Sequence, residues 1–280
     1  MTGRRTFVFL IFWLLFSSWL HAAESTTSSP VYSVGIVPQF DARRTYKIWR
    51  HILDKIQQAT GLRFTLQGSP NIPAFEKALM SGAFDFAYIN PYHALLANHS
   101  QGYVPLVRDV GRRLQGILVV RRNSKIHSVE ALAGKTIAFP SPNSLGATLL
   151  IRAELKDKYN IQLIPKYVRS HSSVYLNVAL GQLVAGGGVQ KTLQQQAPNI
   201  RNKLRILYRT AWIVPHPFTA HPRVPTQVQQ QVREALLALG QSKSGRQLLL
   251  QVPIQKIGRA TMQDYDLLSK HRLDRFYQKD

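Results

Sequence analysis

The 280-residue chain contains no cysteine. That excludes disulfides, thiolate metal ligands, a cysteine nucleophile and an acylated N-terminal cysteine. Carboxylates are scarce as well: 14 Asp and Glu stand against 36 Lys and Arg, a formal charge of +22. So few acids leave no convincing paired-carboxylate site, and the nine histidines form neither H-x-x-x-H nor H-E-x-x-H. Ser144 does not sit in G-x-S-x-G, so no nucleophile elbow is present. The chain therefore reads as a non-enzyme with no metal and no cofactor. At 45% hydrophobic residues it is too apolar for a disordered basic tail.

Such a surplus of positive charge invites a nucleic-acid reading, and the N-terminus argues against it. Arg4 and Arg5 precede an apolar run from Phe7 to Phe16, then Ser17-Ser18 and Ala22-Ala23. This is the order of a cleavable secretory signal over residues 1–23, with cleavage after Ala22 or Ala23. The run is shorter than the ~20 residues a spanning helix needs. Removing it takes away two Arg and no acid, leaving 34 basic against 14 acidic residues, a formal +20. With no cysteine to acylate, the mature protein is expected free in the periplasm, as a monomer. The basic residues are scattered (Arg43-Arg44, Arg112-Arg113, Arg121-Arg122, Arg201 to Arg205) rather than gathered on one recognition helix. No nucleic-acid partner is expected.

After a Ser/Thr linker over 24–30, strands and helices alternate. Strands are expected at Tyr32–Val37, Arg63–Gln67 and Phe84–Ile89, with helices at Tyr46–Thr60 (closed by Gly61) and Pro73–Ser81. Further strands are expected at Val104–Arg108, Gln115–Arg121, Lys135–Phe139, Ile161–Val168, Leu183–Ala185 and Lys203–Arg209. Helices are expected over Lys125–Ala133, Leu145–Lys158, His171–Leu180 and Thr226–Leu239, with more helix after Ser242 and Thr261. The rhythm is α/β. It suits two α/β lobes joined by two hinge crossings, with a helical C-terminus. The first lobe would run from 31 to 115, the second from 116 to 211, and residues 212–280 would return to the first.

Four segments offer binding chemistry. In Phe139–Ala147 (FPSPNSLGA) a strand runs into cap-type residues and a helix holding Gly146 and Ala147. Free N–H groups and the positive end of the helix dipole make such a start an anion cradle, though an ordinary capped helix has the same sequence. In Asp85–His93 (DFAYINPYH), Tyr88 and Asn90 stand at the end of a strand, where α/β sheets present their crevice. In Tyr167–Tyr175 (YVRSHSSVY), His171 stands among hydroxyl donors at another strand end. Finally, Gly186-Gly187-Gly188 permits close backbone approach and Lys191 follows as a point charge, although the spacing is not that of a P-loop.

The collinear order of YSVGIVPQF, ATGLRF, GAFDFAYINPYHAL, QGILVVRRNSKIHSVEALAGKTIAFPSPNSLGATL and SHSSVYLNVALGQLVAGG resembles the phosphate/phosphite/phosphonate-binding proteins of ABC transporters. The resemblance covers Tyr32 to Lys270. It implies a type 2 periplasmic-binding-protein fold that closes on a small anionic ligand and delivers it to an inner-membrane permease. The oxyanion would be held by Asn143, Ser144, Leu145, Gly146 and Ala147, with Tyr88 and Asn90 from the first lobe and His171 and Lys191 from the second. The chain departs from the family pattern in two places. Ser144-Leu145-Gly146 replaces a hydroxyl-rich run, and Lys191 stands where an acid would receive the ammonium of an aminophosphonate, which disfavours that ligand. A ligand sensor partnering a membrane histidine kinase, and a basic envelope-binding protein, are the competing expectations.

Overall fold

The computed structural model describes residues 30–252 and 254–279. The expected signal peptide and all of the linker but Pro30 lie outside the described residues. Two sheets divide the chain. The first is six-stranded and takes in β1 (Val31–Ile36), β2 (Arg63–Gln67), β3 (Phe86–Tyr88), β4 (Val104–Asp109), β10 (Pro217–Ala220) and β11 (Ile257–Arg259), in the order β11-β4-β10-β3-β1-β2. The second is five-stranded: β5 (Leu114–Arg121), β6 (Thr136–Phe139), β7 (Ile164–Tyr167), β8 (Ala185–Val189) and β9 (Leu204–Ile213), in the order β7-β6-β8-β5-β9. β1 pairs parallel with β2 and β3, and β6 pairs parallel with β7 and β8, while β10 and β5 run antiparallel to their neighbours. The fold is mixed α/β and bilobed, and the chain crosses between sheets at 110–113 and again at 214–216.

Local chemistry sets the helix ends. In α1 (Ala42–Thr60) the Asp41 side chain accepts from the Arg44 N–H, and Gly61 closes the helix at φ 72°, in the left-handed region that glycine enters without penalty. Asn71 caps α2 (Ile72–Met80), and Asn90 caps α3 (Pro91–Gln101). One large core, holding Ile52, Phe75, Phe86 and Phe218, fills the first lobe. The second sheet is covered on both faces, by Ile151 and Leu155 on one and by Val174 and Tyr175 on the other. That double burial is why its strands read as near-continuous apolar runs.

Three expectations change. Lys125–Ala133 has one 3-10 turn, Glu130–Leu132, instead of a helix. The strand expected at Leu183–Ala185 instead spans Ala185–Val189, which puts Gly186 to Gly188 in the middle of β8 with all three buried. A Cβ on Gly186 would meet Val174, one on Gly188 would stand 2.2 Å from the Tyr175 hydroxyl, and one on Gly187 would stand 2.1 Å from the Ala147 carbonyl. These glycines let two helices lie flat on the sheet. Strands β10 and β11 were not expected; both pair antiparallel with β4, and their places are set by the return of the chain to the first sheet.

Candidate anion site between the two sheets

The helix expected from Leu145 begins with a π turn, Leu145–Leu149, and continues as α4 (Leu150–Tyr159). The Ser144 carbonyl accepts from both Thr148 and Leu149, at 2.8 and 3.2 Å. No described residue takes the N–H groups of Leu145, Gly146 or Ala147, so they project from the helix start with the positive end of its dipole. Packing fixes the turn from behind. A Cβ on Gly116 of β5 would lie 2.1 Å from the Gly146 carbonyl, and a Cβ on Gly146 would lie 2.8 Å from Val189. The Ser144 and Ser141 hydroxyls are 3.2 Å apart, and Thr148 donates to the Ser141 carbonyl at 2.8 Å.

These groups face a small cavity between the sheets. It offers about 20 Å³ to the centre of a water molecule, where one ordered water needs about 10–15 Å³. Asn90, Ser144, the backbone of 145–147 and His171 line it, joined by Gln39, His216 and apolar Val37, Ile72 and Val189. No carboxylate, ammonium or guanidinium group is among the lining residues. The chemistry is hydrogen bonding from neutral groups.

Each polar member is held by its own element. Asn90 accepts from the His93 N–H at 2.9 Å and reaches across to the Asn143 carbonyl at 3.4 Å, joining the lobes beside the cavity. His171 opens α5 (His171–Ala179) after Arg169, whose left-handed φ of 75° turns the chain out of β7. The neighbouring hydroxyls Ser170 and Ser173 bond each other at 2.9 Å and cap the helix, so of that donor run His171 is the residue that lines the cavity. His171 Nδ1 lies 3.4 Å from Thr192 Oγ1, which is 2.8 Å from the Tyr175 hydroxyl. Burial lowers the His171 pKa to about 4. His216, in the return crossing, lies 2.7 Å from the Gln39 side chain and stacks on Tyr88. Burial first, then nearby Lys191 and His171, hold its pKa well below the usual range. Both histidines are neutral at neutral pH.

Six of the nine residues named from the sequence thus come together: Asn90, Ser144, Leu145, Gly146, Ala147 and His171. Three do not line the cavity. The Tyr88 ring is packed between Trp49 and His216, behind the cavity wall. The Asn143 side chain is taken by Gln278, giving to its carbonyl at 2.8 Å and accepting from its N–H at 2.9 Å. Lys191, in the short helix α6 (Gln190–Gln194), turns away to Asp109 at 3.0 Å. Gln39 and His216 were missed. Gln39 follows β1 at the strand end where crevices form, a positional signal that the sequence did offer; His216 depends on the tertiary return of the chain.

The sequence model for the periplasmic substrate-binding protein of phosphonate ABC transporters matches residues 34–265. The chain belongs to that family. Its members are substrate-binding proteins rather than enzymes, and they are periplasmic. Among solved structures it is similar to a binding-protein component of an ABC phosphonate transporter from Pseudomonas aeruginosa, at 18% identity and TM-score 0.79 over 88% of this chain and 86% of that one. It is also similar to PhnD1 from Prochlorococcus marinus, solved with methylphosphonate, at 16% identity and TM-score 0.78 over 86% and 96%. A Xanthomonas citri protein solved with bound chloride shares 20% identity at TM-score 0.66, over 88% and 95%. No protein of curated function matches the sequence. Among the described residues no helix is long and apolar enough to cross a membrane.

Proposed function

We propose that this protein binds a small phosphate-, phosphite- or phosphonate-type oxyanion between its lobes and delivers it to an inner-membrane ABC permease. The observation that carries the reading is the set of backbone N–H groups of Leu145, Gly146 and Ala147, which no described residue takes, facing a cavity with the Ser144 hydroxyl and two neutral histidines. An oxyanion offers several acceptors and no donor when fully ionised, which matches a wall of donors. The cavity is small, which favours an inorganic ion or a short alkylphosphonate. The methylphosphonate complex of PhnD1 supports the same ligand class. An aminophosphonate is disfavoured because no carboxylate lines the cavity to receive its ammonium.

A thermal-shift and calorimetric screen of phosphate, phosphite, methylphosphonate, aminoethylphosphonate, sulfate and acetate tests this. A ligand that binds the native state raises the melting temperature by mass action. Phosphite or methylphosphonate is expected to stabilise most. No response to any phosphorus oxyanion at millimolar concentration overturns the ligand class.

A further inference from the structure

The C-terminal segment forms a third link between the lobes, and it ends on the turn that leads into the anion cradle. After β11, the 3-10 run Met262–His271 packs Tyr265 and Leu268 into an apolar cluster with members from both sides of the molecule. Tyr92 of α3 belongs to it, as do Leu114 and Ile213 at the ends of β5 and β9 and the cradle helix residues Leu145 and Leu149. Arg272 then reverses the chain at φ 47°. Beyond it, Tyr277 stacks edge-on against Tyr92 at 5.7 Å, on the first lobe. The remaining contacts are to the second lobe. Arg275 makes two hydrogen bonds to Asp157 of α4, at 2.9 and 2.8 Å, and Arg152 of α4 lies over the Phe276 ring at 4.8 Å. Gln278 closes the segment with its two backbone bonds to the Asn143 side chain.

We propose that Arg275–Gln278 is a latch that positions the anion-binding turn through Asn143, holding the lobes in their closed relation and slowing ligand escape. The inference rests on the oxyanion reading above for its ligand, though not for its geometry. Its weight falls on Asn143. Asn143 is 4% exposed, its side-chain oxygen and nitrogen are both matched by the Gln278 backbone, and its own carbonyl accepts from Asn90. Removing Gln278 leaves a buried amide unpaired one residue before Ser144. The Arg275–Asp157 pair is half-exposed and contributes less, although its two-pronged geometry fixes direction. When the lobes part, Tyr92 and Asn143 must separate, so Tyr277 and Gln278 must release one of them.

The test compares the full chain, a chain ending at Asp274, Asn143→Ala, and the two changes combined. Leu273, which is buried, is kept in all of them. Methylphosphonate dissociation is followed by stopped flow, and small-angle X-ray scattering of the ligand-free chains reads lobe separation. Truncation and Asn143→Ala are each expected to speed dissociation about tenfold, to slow association little, and to raise the ligand-free radius of gyration. Together they should do no more than truncation alone, because the Asn143 connection is already broken by the truncation. A merely structural defect would lower the melting temperature and add up in the combined chain. Unchanged dissociation, or fully additive effects, overturns the latch. If the full chain binds neither methylphosphonate nor phosphate nor phosphite, the oxyanion reading falls. Scattering then decides alone: an unchanged radius on truncation overturns the latch, and expansion upholds it.

Discussion

The carbonyl oxygen of Ala147 rests on Gly187, so close that a Cβ on the glycine would stand 2.1 Å away. One residue earlier, the carbonyl of Gly146 rests on Gly116 in the same manner. The start of the cradle helix meets two strands backbone to backbone.

Gly187→Ala is therefore expected to displace that helix start. Overpacking of this kind costs about 1–3 kcal/mol, and here the neighbouring atom is a backbone carbonyl and cannot swing aside. Denaturant unfolding should show that loss, and calorimetry should show oxyanion affinity falling at least about tenfold. Gly134→Ala, where nothing lies within 4 Å but φ is 66°, should cost stability and leave affinity unchanged.

Ser144→Ala and His171→Ala each remove one donor from the cavity. A hydrogen bond to a charged group is worth roughly 1.5–3 kcal/mol, so each dissociation constant for methylphosphonate should rise by about tenfold or more in isothermal titration. Lack of change in both would place the ligand elsewhere.

Asp109 accepts from the N–H groups of Gly111, Gln255 and Lys256 and from Lys191 Nζ. Breaking a buried pair of this kind costs about 3–5 kcal/mol, so Asp109→Ala should destabilise by that order in urea unfolding. If Lys191 instead served the ligand, Lys191→Met would abolish oxyanion binding; retained binding with lower stability is the expected result.

The acid limb of the stability curve should begin early. Burial lowers the His171 pKa to about 4, and His216 is lowered too, burial again being the main cause. Between about 6.5 and the folded value, the unfolded chain takes up protons that the native state refuses, so stability is lost as pH falls through that window. Urea midpoints at pH 7.5, 6, 5 and 4 measure the slope, and the double change His171→Gln, His216→Gln should flatten it above pH 5. Carboxylates act further down. For Asp85 and Asp109 desolvation raises the pKa, but hydrogen bonds and neighbouring cations outweigh it and the net shift is downward. Their contribution is complete above the ordinary carboxylate range and is lost only below it.

Much of this was legible from residues alone. α8 (Thr226–Leu239) and β2 fall where the apolar spacing put them, because their patterns are local and their ends are marked. The cradle helix start and His171 were legible as cap chemistry at strand ends. What could not be read was set by other parts of the chain. Lys191 reads as a point charge by its place in the sequence, while its ion-pair partner Asp109 stands 82 residues earlier. Asn143 was a candidate until Gln278, 135 residues later, occupied its amide. His216 carries no local signal, since its place depends on how the return crossing meets β1. What approaches the triple glycine, Tyr175 and the Ala147 carbonyl, is brought to it only by folding.

One consequence of the π turn concerns how the site can vary over evolutionary time. Its three donors are peptide N–H groups, which every residue but proline possesses, so a change of side chain at Leu145 or Ala147 deletes none of them and is felt only in packing. What cannot be exchanged freely are Gly116 and Gly187, which do not line the cavity and only let the turn lie where it does. Drift at the apparent binding residues and constancy at these silent glycines is the pattern such a site leaves in its descendants.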